Sequence, residues 1–264
     1  MAKEKLSDEQ LLALNEAYPV SEDDGKVSLP RFGMLSKDIT EETGTGKNKK
    51  IKVVQASGTF YTESDQGEVN EETGKKVWTK EFIDGETLDV IIPFHRKQLR
   101  LYDASLEKFI STPVFDNSEQ VIPLYLDKQV IKRGTQKDLQ ALYPALTQKG
   151  KPSSKLKEQV ILYVIFNDVL HQCILSVSSG FVFRDYKKTV NPSSVITTLG
   201  SVEETFGDNT YRKTTFKNKR IIDTKEFEVV REKQVALQAE VQSDSKLYLG
   251  SAEDKKAEEE FRKA

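Results

Sequence analysis

Histidine, cysteine and tryptophan are nearly missing from this chain: two His, one Cys and one Trp among 264 residues. A single thiol, Cys173, cannot form an internal disulfide, and His95 and His171 are too few to complete a structural Cys/His zinc site with it. No metal or other cofactor is therefore expected. Long apolar runs are missing as well. The longest, Val160–Phe166, is too short to cross a bilayer and reads as a buried strand. The start, MAKEKLSDEQ, has no apolar signal core, so a cytoplasmic protein without a membrane partner is expected. No repeat of fixed period is present.

Enzymatic signatures are equally scarce. ETGTGKNKK has a Gly-Lys step, but Glu41 stands where a phosphate loop needs its first glycine and Asn48 where it needs Ser or Thr, so a charged hairpin tip explains it better. Ser178, Ser179 and Gly180 do not form G-x-S-x-G. His171 alternates with apolar residues and reads as structural; His95 sits among cations and aromatics and either meets a phosphate or a base or is a plain surface residue. Carboxylate groups such as Asp84/Glu86/Asp89 read as solvated faces, and an enzyme built from scattered carboxylates is the weakest of the functional readings. A non-catalytic protein is expected.

What the chain does have is charge, unevenly placed. Charged residues make up 31% and hydrophobic ones 37%, with a net charge of -2, which describes a globular protein with a strongly solvated surface. Residues 1–24 hold seven acids against two lysines, and residues 63–72 five acids and no base. Cations gather with aromatics in PFHRKQLRLY (93–102), RDYKK (184–188) and TYRKTTFKNKR (210–220).

Ser7–Tyr18 has the capping and apolar spacing of a short helix ended by Pro19. KIKVVQASGTFYT, KKVWTKEFI and TLDVIIPF read as strands separated by turns, and residues 104–150 as less regular, with a short helix in TQKDLQALYPAL and a linker at QKGKPSSK. EQVILYVIF and LHQCILSVS flank a hairpin turn at Asn167-Asp168; SGFVFRDYKK and NTYRKTTFKNKRII continue the strands, and Asp223 with Glu226 starts a helix to about Val241. The fold expected is mostly β, of α+β class, with flanking N- and C-terminal helices. The expected division is an arm and acidic linker at 1–24, a β-rich domain at 25–242 and a charged tail at 243–264.

Unpaired nucleic acid needs cations that follow its phosphates and flat side chains on which bases stack. A strand at 210–220 sends Tyr211, Lys213, Thr215 and Lys217 to one face and Arg212, Thr214 and Phe216 to the other, so Phe216 anchors while the first set meets a ligand. In RDYKK, Tyr186, Lys187 and Lys188 would line a groove at a strand end. For each aromatic alone, core packing is the competing role. The coincidence of three such segments favours binding.

The order LHQCILSVSSGFVFRDYKK, NPSSVITTLGS, the turn FGDN, TYRKTTF and DTKEFEVV resembles a family of single-stranded DNA-binding proteins of bacteriophages and related mobile elements, over roughly residues 155–240. LPRFGML and SGTFYT are similar to that family's Pro-Arg step and Gly-x-Phe strand. Some relatives carry a cysteine cluster before this region; here ISTPVFDN and IPLYL hold no cysteine, so ordinary packing would replace any metal. The resemblance implies an OB-like β-barrel core and sequence-independent binding of single-stranded DNA in phage replication or recombination, in the host cytoplasm. Replication or recombination proteins and further copies of the chain are possible partners. Phosphate contacts are expected from Arg96, Lys97, Arg100, Lys187, Lys188, Arg212, Lys213, Lys217 and Arg220. Stacking is expected from Phe94, Tyr102, Tyr186 and Tyr211, with His95 able to do either. The alternative is a virion or assembly protein whose basic face meets an acidic protein surface.

Overall fold

The computed structural model describes residues 29–43, 50–71, 74, 76–103, 107–126, 129–142 and 156–248. The N-terminal helix expected at Ser7–Tyr18, the linker at 148–155, the hairpin tip at 44–49 and the tail from 249 lie outside the described residues. Strands dominate. In chain order they are β1 (Arg31–Met34), β2 (Ile39–Thr43), β3 (Lys50–Gln55), β4 (Phe60–Val69), β5 (Lys76–Phe82), β6 (Thr87–Asp103), β7 (Lys108–Ser111), β8 (Ile122–Leu126), β9 (Gln129–Gly134), β10 (Lys157–Phe166), β11 (Val169–Ile174), β12 (Val195–Phe206) and β13 (Asn209–Ile221). Helices are α1 (Gln136–Leu142), α2 (Val177–Thr189) and α3 (Thr224–Tyr248).

One sheet runs β5-β4-β1-β11-β10-β6-β7-β8-β9, and the β12–β13 hairpin joins it where β12 pairs with the first residues of β6. The ladder does not close into a barrel among the described residues. Among the described residues, β2 and β3 pair only with each other. β7, β8 and β9, which fall in the stretch expected to be less regular, form a meander.

Local chemistry explains most of these elements. Asn167 and Asp168 both have positive φ, 50° and 62°, as the mirror-image hairpin turn between β10 and β11 requires, and Asn and Asp tolerate that region. Asp223 Oδ1 accepts from the Glu226 amide at 2.9 Å while Glu226 Oε2 accepts from the Asp223 amide at 2.8 Å, a reciprocal cap that opens α3. Thr135 and Asp138 cap α1 in the same way.

SGFVFRDYKK corrects the sequence reading: it is helical. Ser176 Oγ accepts from the Ser179 amide at 3.2 Å, capping α2, and the buried positions Ser179, Gly180, Phe183 and Tyr186 follow helical spacing. Phe181, alternate to Phe183 in a strand, is exposed. Gly180 lets the helix approach β10, since a β-carbon there would lie 3.3 Å from Val160.

A bulge decides which residues of β6 share a face. Tyr163 pairs with Phe94 but Ile165 with Ile91, so Ile92 and Pro93 together oppose Val164. Pro93 has no amide hydrogen for the ladder, which suits it to that place. Beyond the bulge, Val90 and Ile92 share the α2 side with His95 and Lys97, whereas Ile91 shares the other with Phe94, Arg96 and Arg100. The α2 side packs Val90, Ile92, Val160, Leu162 and Val164 against Phe183, Tyr186, Leu199 and Phe216. The opposite side packs Ile91, Ile161, Tyr163 and Ile165 against Val230 and Leu237 of α3. A separate cluster, Leu99, Leu101, Ile110, Phe115 and Leu139 among its members, seats β7, β8 and α1. Each such fully buried side chain stabilises the fold by about 1.5–3 kcal/mol.

Candidate nucleic-acid interface

The expected contact residues lie in three separate places rather than one groove. The first is the α2 side of β6. Lys187 Nζ donates to His95 Nε2 at 3.0 Å, and the His95 ring meets Phe183 edge-on at 5.3 Å. Burial, then the charges of Lys187 and Lys97, lowers the His95 pKa from 6.5 to about 4, so the ring is neutral and accepts. Lys97 and Arg184 both approach Glu158, at 3.8 and 3.7 Å. Lys188, also on α2, is exposed and paired with Asp185 at 2.7 Å. Tyr186 is buried at 9% exposure, exchanges a 2.8 Å hydrogen bond with Thr197 and stacks on Phe216. It cannot reach a base, because the helix turns inward the ring that a strand would have presented at its end.

The second place is β13. Phe216 and Thr214 are buried and Lys217 is exposed, matching the expected alternation. Most cations of this segment are answered by acids: Arg212 by Glu203 at 3.1 Å, Lys213 by Glu204, Lys219 by Asp89, and Arg220 by Glu226 at 2.6 Å. The Tyr211 hydroxyl donates to Glu204 at 3.0 Å. The acids lie on β12, β6 and α3, so the basicity of residues 210–220 is largely matched once the chain is folded. Lys217 stands without a carboxylate partner among the described residues.

The third place is the side of β6 that α3 also covers. Two expected contacts there are structural. Arg96, 2% exposed, donates to Asp116 Oδ1 and to the Val114 carbonyl, both at 3.1 Å, and so ties the 113–117 segment to the sheet. Phe94 packs on Tyr163 within the cluster that includes Leu237. Past them the face opens. Tyr102 and Phe109, paired across β6 and β7, are 51% and 49% exposed, with ring centroids 5.0 Å apart. The Arg100 guanidinium lies 3.9 Å from the centre of the Phe109 ring. Lys157 pairs with Arg100 across β10, which puts both cations on one face, and neither has a carboxylate partner among the described residues.

Comparison with known proteins finds no matching family model, curated protein or solved structure. Flat rings held side by side with free cations can stack on planar ligands and attract their anions. Phe109, Lys157 and Arg184 are not among the contacts expected from the sequence, although Arg184 opens the RDYKK segment. For Phe109 the signal lay in EKFI opposite LRLYD, but only the β6–β7 register places its ring beside Tyr102.

Cys173 is buried and its thiol pushed up to about 12, so it is neutral and unreactive. His171, 5% exposed, donates from Nδ1 to the Val169 carbonyl at 2.9 Å, the structural role expected of it. Among the described residues, no group of three or more His, Cys, Asp and Glu is placed to hold a metal ion, and no helix is long and apolar enough to cross a membrane.

Proposed function

We propose that this protein binds single-stranded DNA without reading its sequence, on the sheet face of β10, β6 and β7. The observation that carries the reading is the half-exposed Tyr102–Phe109 pair flanked by Arg100 and Lys157. Bases in a duplex are already stacked on each other; unpaired bases are free to stack on rings, for about 1–3 kcal/mol each. Any base offers a π face, so no sequence is selected. The cations displace counterions from the backbone. The resemblance described above supports a role in phage replication or recombination, with proteins of those processes as partners.

An OB-like core is part of the same proposal. β6, β10 and β11 form a meander, α2 follows, and β12 returns to pair with β6 before turning into β13, a succession that suits that fold. Such cores bind on the face of their second and third strands and on the connections between the first and second and between the fourth and fifth strands. The ring pair stands where β6 leaves for the long connection to β10. β13 makes no ladder with β11, whose free edge is taken instead by β1 in parallel at Arg31 and Gln172.

Anisotropy of a labelled oligothymidine, titrated at two salt concentrations, tests the function. Salt-sensitive binding is expected, weaker for duplex of equal length. Tyr102→Ala or Phe109→Ala should each weaken it about ten- to hundred-fold, the range of one lost stack. Undiminished binding in the double variant would overturn the assignment.

A second reading, a virion or assembly component, is favoured by the β2–β3 hairpin, whose Ile51, Val53 and Val54 are 71%, 49% and 45% exposed. Absence of binding to any oligonucleotide would shift the balance towards it.

A further inference from the structure

Across β6 from the ring pair, Lys97, Arg184 and Lys187 surround a single carboxylate. Glu158 is the acid near them, and its Oε2 already accepts from Gln136 Nε2 at 2.6 Å. Its separations from Lys97 and Arg184, 3.8 and 3.7 Å, are longer than hydrogen bonds. Three cations against one carboxylate, beside a neutral imidazole, leave two positive charges in excess. Lys187 donates to that imidazole rather than to an acid. The Arg184 guanidinium lies 4.3 Å from the centre of the Phe181 ring, and its buried Nε has no hydrogen-bond partner among the described residues, an omission that costs about 1–3 kcal/mol. Lys97 also donates to Ser118 Oγ at 3.0 Å, leaving the hydroxyl hydrogen free to donate. Like charges gathered in this way at a partly exposed surface favour an anion seated among them and held by charge-assisted hydrogen bonds.

We infer that Lys97, Arg184 and Lys187, with Ser118, form a binding site for a phosphate group. His95 does not touch the anion as an acid; it holds the Lys187 ammonium in place. The phosphate has two chemical sources, the backbone of a nucleic acid strand or a free phosphate compound, and the site stands whether or not the ring pair binds bases.

Inorganic phosphate followed by isothermal titration calorimetry on the full chain at pH 7 tests the site, with His95 observed by NMR in parallel. Saturable one-to-one binding is expected, weakened at least ten-fold in Lys187→Gln and retained in Lys187→Arg. Lys187 is exposed, so neither change threatens the fold. Bound phosphate should raise the His95 pKa by about one unit, as an added neighbouring anion does. Lys76→Gln, which alters a distant exposed ion pair, should change nothing. Displacement of phosphate by oligothymidine in the Tyr102→Ala/Phe109→Ala variant would identify a nucleic acid backbone as the source, and persistence of bound phosphate a free compound; both support the site. No heat of binding, or equal binding by Lys187→Gln and the unaltered chain, would overturn it.

Discussion

Tyr186 and Thr197 share one hydrogen bond between buried side chains, Thr197 being 0% exposed. Tyr186→Phe keeps the ring on Phe216 but strands the threonine hydroxyl, so a loss of about 1–3 kcal/mol is expected in urea unfolding. DNA binding should be unchanged by it, since that ring faces inward. His95 gives the second prediction at this scale. Its pKa in the folded protein is lowered to about 4 from an ordinary 6.5, so as pH falls through 6.5 the unfolded chain takes up a proton that the folded one refuses. Stability should therefore decline between those values and stop declining on this account below about 4. His171, whose pKa burial also lowers, adds in the same direction. The urea midpoint should fall between pH 7 and pH 4.5, and fall less in His95→Gln. Asp89 and Glu226 act lower: Lys219 and Arg220 respectively hold these carboxyls below their ordinary range, so their contribution is lost only under about pH 4.

Among the elements, α3 depends on its first turn. Asp223→Ala removes one half of the reciprocal cap and should cost about 0.5–2 kcal/mol, measured by urea unfolding, with the lost helicity read by circular dichroism. Sequence patterns were informative at this scale. The Asn167-Asp168 turn, the Asp223 cap, the short helix in TQKDLQAL and most strands were visible, because each depends on residues a few positions apart. α2 was misread for an equally local reason. FVFRDYKK alternates like a strand, and a bulky aromatic pair outweighed the Ser176–Ser179 capping pattern. Phe183 and Tyr186, three apart on the buried side of the helix, belong to a longer period that the neighbouring sheet selects.

At the scale of the whole molecule, the sheet separates two positive sites and neutralises a third. If Arg100 and Lys157 each meet one phosphate, replacing both with Gln should reduce the dependence of log K on log salt concentration by about 1.4, twice the single-strand value per contact. Lys213→Gln should leave that slope unchanged, because its charge is answered by Glu204. Anisotropy across a salt series reads both. Of the contacts expected from sequence, Arg100 and Tyr102 stay on an open face and His95, Lys97 and Lys187 meet on the other; Phe94, Arg96 and Tyr186 are drawn into packing.

The sequence by itself determined a mostly β chain, the Asn167-Asp168 turn, the starts of α1 and α3, that Val160–Phe166 is a buried strand, and that no disulfide forms within it. These follow from side-chain period, backbone preference and residue counts, which act along the chain. Only the tertiary structure decided which cations remain free and which rings stay exposed. Facing depends on a bulge at Pro93, and charge pairing on strands brought together from distant segments, so neither is written in any one stretch of residues.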